Sequence, residues 1–155
     1  MKLEVRARGE QFVEQHTARE SGIIPVPCYH LALTSLLLGR LDKARRLANR
    51  AVESSVSYPG FLAWALHLLG DIASQPDRFD SESAEVYYRE ALALAEPRGM
   101  RQLVAHCRFS LGRLSRRTGR PPQAQEHLAI AMTMFREMDM TYWLEQAEAL
   151  IRETF

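Results

Sequence analysis

The chain has 155 residues, 46% hydrophobic and 25% charged, with a formal net charge of +1. That length suffices for one domain with a substantial core, and so even a charge balance excludes a global pull toward nucleic acid or a membrane surface. Two cysteines, Cys28 and Cys107, fit neither a disulfide framework nor a cysteine-rich metal site and read as reduced, cytoplasmic thiols.

The opening "MKLEVRARGEQF" is charged throughout and lacks the apolar stretch of a secretory signal. Residues 1–22 read as a degenerate N-terminal helix, with Phe12 and Val13 as docking residues and Gly22 as its end. "CYHLALTSLLLG" then gives an apolar helix closed by Gly39, and "ARRLANRAV" a helix with a narrow apolar stripe. "FLAWALHLLGDIAS" comes next, its apolar run far short of the roughly 18 residues of a membrane span. The connection "QPDRFDSES" offers Asp80 or Ser81 as a helix cap, with Glu82 and Glu85 favourable in the first turn of the next helix. "LVAHCRFSLGRLSRR" is a further helix with Gly119 as its end, and Pro121 and Pro122 suit the first turn of the helix after it. "TYWLEQAEALIRETF" places Trp143, Leu144, Ala147 and Leu150 on one stripe and reads as a closing helix.

Three of these segments align at an offset of 40: "ARRLANRAV" from Ala44, "AEVYYREAL" from Ala84 and "AQEHLAIAM" from Ala124. Alanine is 19 of 155 residues, so an all-alanine triple arises by chance about once in 500 registers. Two occur, Ala44/Ala84/Ala124 and Ala51/Ala91/Ala131, with Ala48, Tyr88 and Leu128 between them. Positions i, i+4 and i+7 share one helix face, and alanine at two of them lets a neighbouring backbone come close. Gly70 and Gly112, each after a leucine and inside an upstream helix, cost about 1 kcal/mol relative to alanine, which points to close packing there; Leu31-Ala32 is the equivalent pair in the first copy. The expected fold is therefore all-α, an α-solenoid of antiparallel helical hairpins. One domain spans 1–155, with repeats at 26–58, 61–99 and 101–140 and a capping helix at 141–155.

The leucine–glycine pairs and the Ala-x3-aromatic-x2-Ala spacing of Ala84, Tyr88 and Ala91 resemble the tetratricopeptide repeat family. Departures are Ala73 and Ser115 where that pattern has an aromatic residue, and a period of 40 in place of 34, which leaves a HEAT-like repeat as the alternative. More narrowly, "YYREALALAE", "LGRLSRRTGR" and "FREMDMTYWLEQAEAL" resemble the C-terminal repeats of bacterial multidomain ATPase and nucleotide-cyclase signalling proteins. The family resemblance implies a non-catalytic module that binds a peptide or partner protein in the groove lined by the first helix of each repeat. The narrower one implies a regulatory or sensor arm of a larger signalling protein.

On that resemblance the groove candidates are Trp64, His67, His106, Phe109, Arg113, Arg116 and Arg117. Between Arg101 and Arg120 stand six arginines and no acid, whereas Asp71 to Glu96 holds seven acids and two bases. Two readings are open: the arginines clamp carboxylates of an acidic partner, or they stabilise a helix end and pair with acids of neighbouring repeats. Tyr29, Leu33, Leu36 and Leu37 form an apolar patch that either takes an aliphatic anchor or is covered by an upstream repeat; an exposed terminal repeat of this kind could also make a homodimer. Phosphate loops, zinc spacings and nucleophile elbows are missing from the sequence, so no enzyme activity and no cofactor are expected. Membrane partners are not expected either, and nucleic-acid binding through Arg101–Arg120 is a third reading, not favoured because the net charge is near neutral.

Overall fold

The structure, a computed structural model, describes residues 25–154. The degenerate helix expected at 1–22, with Phe12 and Val13, lies outside the described residues. Seven α-helices and no strands occur among the described residues: α1 (Pro25–Leu37), α2 (Leu41–Ser54), α3 (Pro59–Ala73), α4 (Ser81–Ala95), α5 (Arg101–Arg117), α6 (Pro121–Glu137) and α7 (Thr141–Thr154). Single 3-10 turns at Pro76–Arg78 and Glu96–Arg98 precede and follow α4. Each helix packs on the next, most extensively within the pairs α1–α2, α3–α4 and α5–α6, and α7 closes against α6 and α5. This is an all-α solenoid of three hairpins and a cap.

The alanine stripes explain the hairpins. Ala44, Ala48, Ala51, Ala84, Ala91, Ala124 and Ala131 are all at most 1% exposed. Small residues there let paired helices approach until only one larger side chain fits between them. In the second and third hairpins the upstream glycine makes the space. A Cβ on Gly70 would stand 2.5 Å from the Tyr88 ring, and one on Gly112 would stand 2.7 Å from Leu128 Cγ. In the first hairpin Ala32 and Ala48 occupy the equivalent places and both are buried. Volume is thus exchanged across the helix pair while its close approach is kept.

Apolar clusters run the length of the stack. One joins α1, α2 and α3, a second α3, α4 and α5, and a third α5, α6 and α7. Each hairpin therefore shares a core with the first helix of the next, which is how repeats hide faces they cannot bury alone. The last such face is covered by Trp143, Leu144, Ala147, Leu150 and Ile151 of α7.

The helix ends obey local rules. At α1, α5 and α6 the chain leaves through the same pair of backbone bonds: Arg40 N–H to the Ser35 carbonyl with Gly39 N–H to Leu36, and likewise Arg120 to Ser115 with Gly119 to Arg116, and Met140 to Phe135 with Asp139 to Arg136. The turn after α4 matches them, with Met100 N–H to Ala95 and Gly99 N–H to Glu96. These are Schellman ends, whose pivot residue needs a left-handed backbone. Glycine supplies it at Gly39, Gly99 and Gly119, but Asp139 takes φ 55° with a side chain. At the start of α4, Asp80 rather than Ser81 is the cap: its carboxylate accepts from the Ser83 N–H at 3.0 Å.

Candidate binding surface

The odd-numbered helices are neighbours: α1 touches α3, α3 touches α5, and α5 touches α7. They build one face of the stack, and aromatic and imidazole side chains run across it. Trp64 of α3 lies 6.3 Å from the His106 ring of α5, and His106 meets Trp143 of α7 edge-on at 4.6 Å. His67 stands 6.4 Å from Trp64 and 5.3 Å from the Tyr88 ring. Edge-to-face contacts of this kind favour fixed ring orientations over a loose cluster. Burial, with a smaller contribution from His67, holds His106 down to about 4, so the ring is neutral and packs as an aromatic.

Beneath these rings lies a polar network. The Tyr88 hydroxyl donates to Asp71 Oδ1 at 2.7 Å, and Ser74 Oγ sits 3.1 Å from the same hydroxyl. Asp71 Oδ2 faces His67 Nδ1 at 3.5 Å, and His67 Nε2 is 3.2 Å from Ser110 Oγ. Serine, imidazole and carboxylate thus stand in the order of an acyl-transfer triad. Ser110, however, is 3% exposed and lies in the middle of α5, where neighbouring amides are engaged in helix bonds and give no oxyanion donors. The network is better suited to pinning α3, α4 and α5 to one another. Satisfying every buried polar group is what lets these groups sit inside the stack.

At the α1 end the face opens. Val26, Tyr29 and His30 of α1 and Phe61 and Trp64 of α3 enclose a cleft of about 270 Å³. Its walls are chiefly apolar, and Val26 and Phe61 remain 38% and 48% exposed. Tyr29 and Trp64 belong to the sequence expectation, whereas Val26, His30 and Phe61 do not. For Val26 and His30 the signal was the i, i+3, i+4 spacing of 26, 29 and 30, opposite the small buried stripe of Cys28 and Ala32.

The expected groove residues fall into two groups. Trp64, His67 and His106 come together on the odd-helix face. Phe109 does not stand open to the groove: it is 5% exposed and packed against Phe135 and Trp143, because α7 closes over α5. The arginines are engaged within the fold. Arg113 faces Asp71 at 3.7 Å, with its guanidinium 5.6 Å above the Phe109 ring. Arg116 pairs with Glu153 of α7 at 3.0 Å. Arg117 donates to the Ser74 carbonyl at 2.6 Å and stacks 3.8 Å over Phe79. The other three of this stretch do likewise: Arg101 with Glu137, Arg108 with Glu96 at 2.7 Å, and Arg120 with Glu85 at 2.7 Å. Basic third repeat and acidic neighbours are complementary halves of one internal arrangement.

Both thiols are free and buried. Burial pushes Cys28 up, and Cys107 up to about 12, so neither offers a reactive thiolate. Groups of three or more residues fit to hold a metal ion are absent among the described residues, and no helix there is long and apolar enough to cross a membrane.

Two stretches of the chain, 25–50 and 105–129, match the tetratricopeptide repeat family model. The first covers α1 and most of α2; the second runs from within α5 into α6. Together they support a tetratricopeptide-repeat family, whose members generally mediate protein–protein interaction and are typically non-catalytic. A search of curated proteins finds no match to the chain, so the likeness of 88–150 to ATPase and cyclase C-terminal repeats rests on the sequence phrases alone.

Proposed function

We propose that the chain is a protein–protein interaction module that holds a partner segment along the odd-helix face, anchored by one large apolar side chain between α1 and α3. The observation that carries this reading is the open cleft of Val26, Tyr29, His30, Phe61 and Trp64. Half-exposed aromatic walls have a ready partner in an aliphatic or aromatic anchor, which would replace exposed apolar area on both sides. His67 and His106 keep Trp64 in place, and Arg113, whose Asp71 partner stands 3.7 Å away and already accepts from the Tyr88 hydroxyl, is the one suited to add a charged contact. Arg116 and Arg117 would first have to leave Glu153 and Ser74, so the cleft takes precedence over arginine readout.

Selection from a random peptide library tests this. Selected peptides should share an apolar anchor, and their affinity should fall about tenfold or more on Phe61→Ala, as for the loss of a hot-spot contact. Arg116→Glu should leave it nearly unchanged. Acidic peptides without an apolar anchor, lost on Arg113→Glu or Arg116→Glu, would return the site to the arginines.

A further inference from the structure

The sequence locates its positive charge at 101–120, but there the fold pairs five of the six arginines with carboxylates. The charge left over lies elsewhere. From Arg40 to Ser54 there are four arginines, Arg40, Arg45, Arg46 and Arg50, against two carboxylates, Asp42 and Glu53. Asp42 is already held by Arg78, which reaches across from the 3-10 turn after α3. Arg40, Arg45 and Arg46 are exposed, and with Arg50 they take part in no ion pair among the described residues. Because Ala44, Leu47, Ala48 and Ala51 face the core, the cations are confined to the outward side of α2. A cavity of about 590 Å³ opens at its start, between Arg40, Lys43 and Arg46 on one side and Asp77 and Arg78 on the other.

We propose that the outward face of α2, with this cavity at its start, is a second binding surface, for a short acidic segment of a partner protein. It is separate from the cleft on the odd-helix face and does not depend on it. Arg40 stands at the cavity and Arg46 and Arg50 at i and i+4 along α2, a strip about 15 Å long, which four or five extended residues span. Guanidinium groups suit carboxylates, which they grip with two parallel hydrogen bonds. The strip is bounded. Arg45 shares a narrow gap between α2 and α4 with Asp80, and Glu82 is exposed one residue into α4. A short acidic peptide stays within the positive zone, whereas a duplex with its continuous phosphates would run onto these acids.

The test is anisotropy of a fluorescein-labelled hexaglutamate peptide with the full chain at low and at high salt, beside a labelled 12-base-pair duplex. Arg40→Glu/Arg46→Glu reverses two exposed charges of the strip. Arg98→Glu/Arg152→Glu changes the net charge equally, on α7 and on the turn after α4. The peptide should bind the unaltered protein, lose affinity about tenfold or more on the first variant and little on the second, and weaken with salt. Phe61→Ala should have no effect. Absence of binding, equal loss in both charge variants, or tighter binding of the duplex than of the peptide would each overturn the proposal.

Discussion

At the scale of single residues, the clearest instructions are the two glycines inside helices. Elsewhere a helix-interior glycine-to-alanine change gains about 1 kcal/mol. At Gly70 and Gly112 the sign should invert, because the added carbon meets the Tyr88 ring or Leu128 well inside contact distance. Overpacking of this kind costs about 1–3 kcal/mol, so Gly112→Ala should lower the melting temperature despite its better propensity. Adding Leu128→Ala should recreate the alanine pair of the first hairpin, Ala32 against Ala48. The double variant is then expected to lose less than the two single losses added together, as a thermal double-mutant cycle would read. Strict additivity would mean that the two residues do not share a space. Gly70 is the harsher case, since moving the Tyr88 ring also disturbs its hydrogen bond to Asp71.

At the scale of elements, the helices and their ends were largely legible in the residues. Alanine spacing marked the stripes of α2, α4 and α6, Gly39 and Gly119 marked left-handed exits, and Asp80 was one of two caps named for α4. The exit after α6 was not legible, because Asp139 does there what glycine does after α1, α4 and α5. Its left-handed backbone carries the crowding of a Cβ against the adjoining carbonyl. Asp139→Gly should therefore stabilise, by about 0.5–1 kcal/mol once the greater freedom of glycine in the unfolded chain is set against it. In a thermal melt that is a rise of about 1–3 °C; a fall would show that the aspartate side chain holds the turn by a bond of its own. Less of the candidate site was legible. Phe109 was expected in the groove because its register fits, but register along α5 says nothing of α7 lying over it. The pairing of Arg101, Arg116 and Arg120 joins residues 35 to 37 apart, a separation no local pattern encodes. The α2 cations escaped notice for the opposite reason: interleaved with the alanine stripe, they read as an ordinary solvated face.

At the scale of the molecule, two groups make acid unfolding proceed in stages. His106 is neutral in the fold down to about pH 4, whereas in the unfolded chain it takes its proton near 6.5. The unfolded state therefore binds more protons between those values, and stability falls as pH drops through that window, by up to about 3 kcal/mol. Glu85, held by hydrogen bonds from Arg120 and then Arg89, is lowered to about 2 from 4.5. Its contribution is present above pH 4.5 and lost as pH falls toward 2. Denaturant unfolding from pH 7 to 3 should show a decline beginning near 6.5. His106→Leu should flatten the upper part of that decline and Glu85→Gln the lower part. An unchanged slope between pH 6.5 and 4 in His106→Leu would assign that stage to another group, of which His127, also lowered by burial, is the first to try.

The fit between Gly70 and Tyr88, or Gly112 and Leu128, lies wholly within one hairpin, whereas the ion pairs Asp42–Arg78 and Glu85–Arg120 join a hairpin to the one after it. Lock and key therefore travel together when a block of about 40 residues is copied, deleted or transplanted as a piece. A single helix moved alone would carry a notch without its filling. The charges obey a different grammar, since each block must match whatever neighbour it is given. A graft of one hairpin into this stack would then be expected to keep its interior and to need only its rim rewritten: the acid at the start of one second helix and the arginine at the turn of the next repeat.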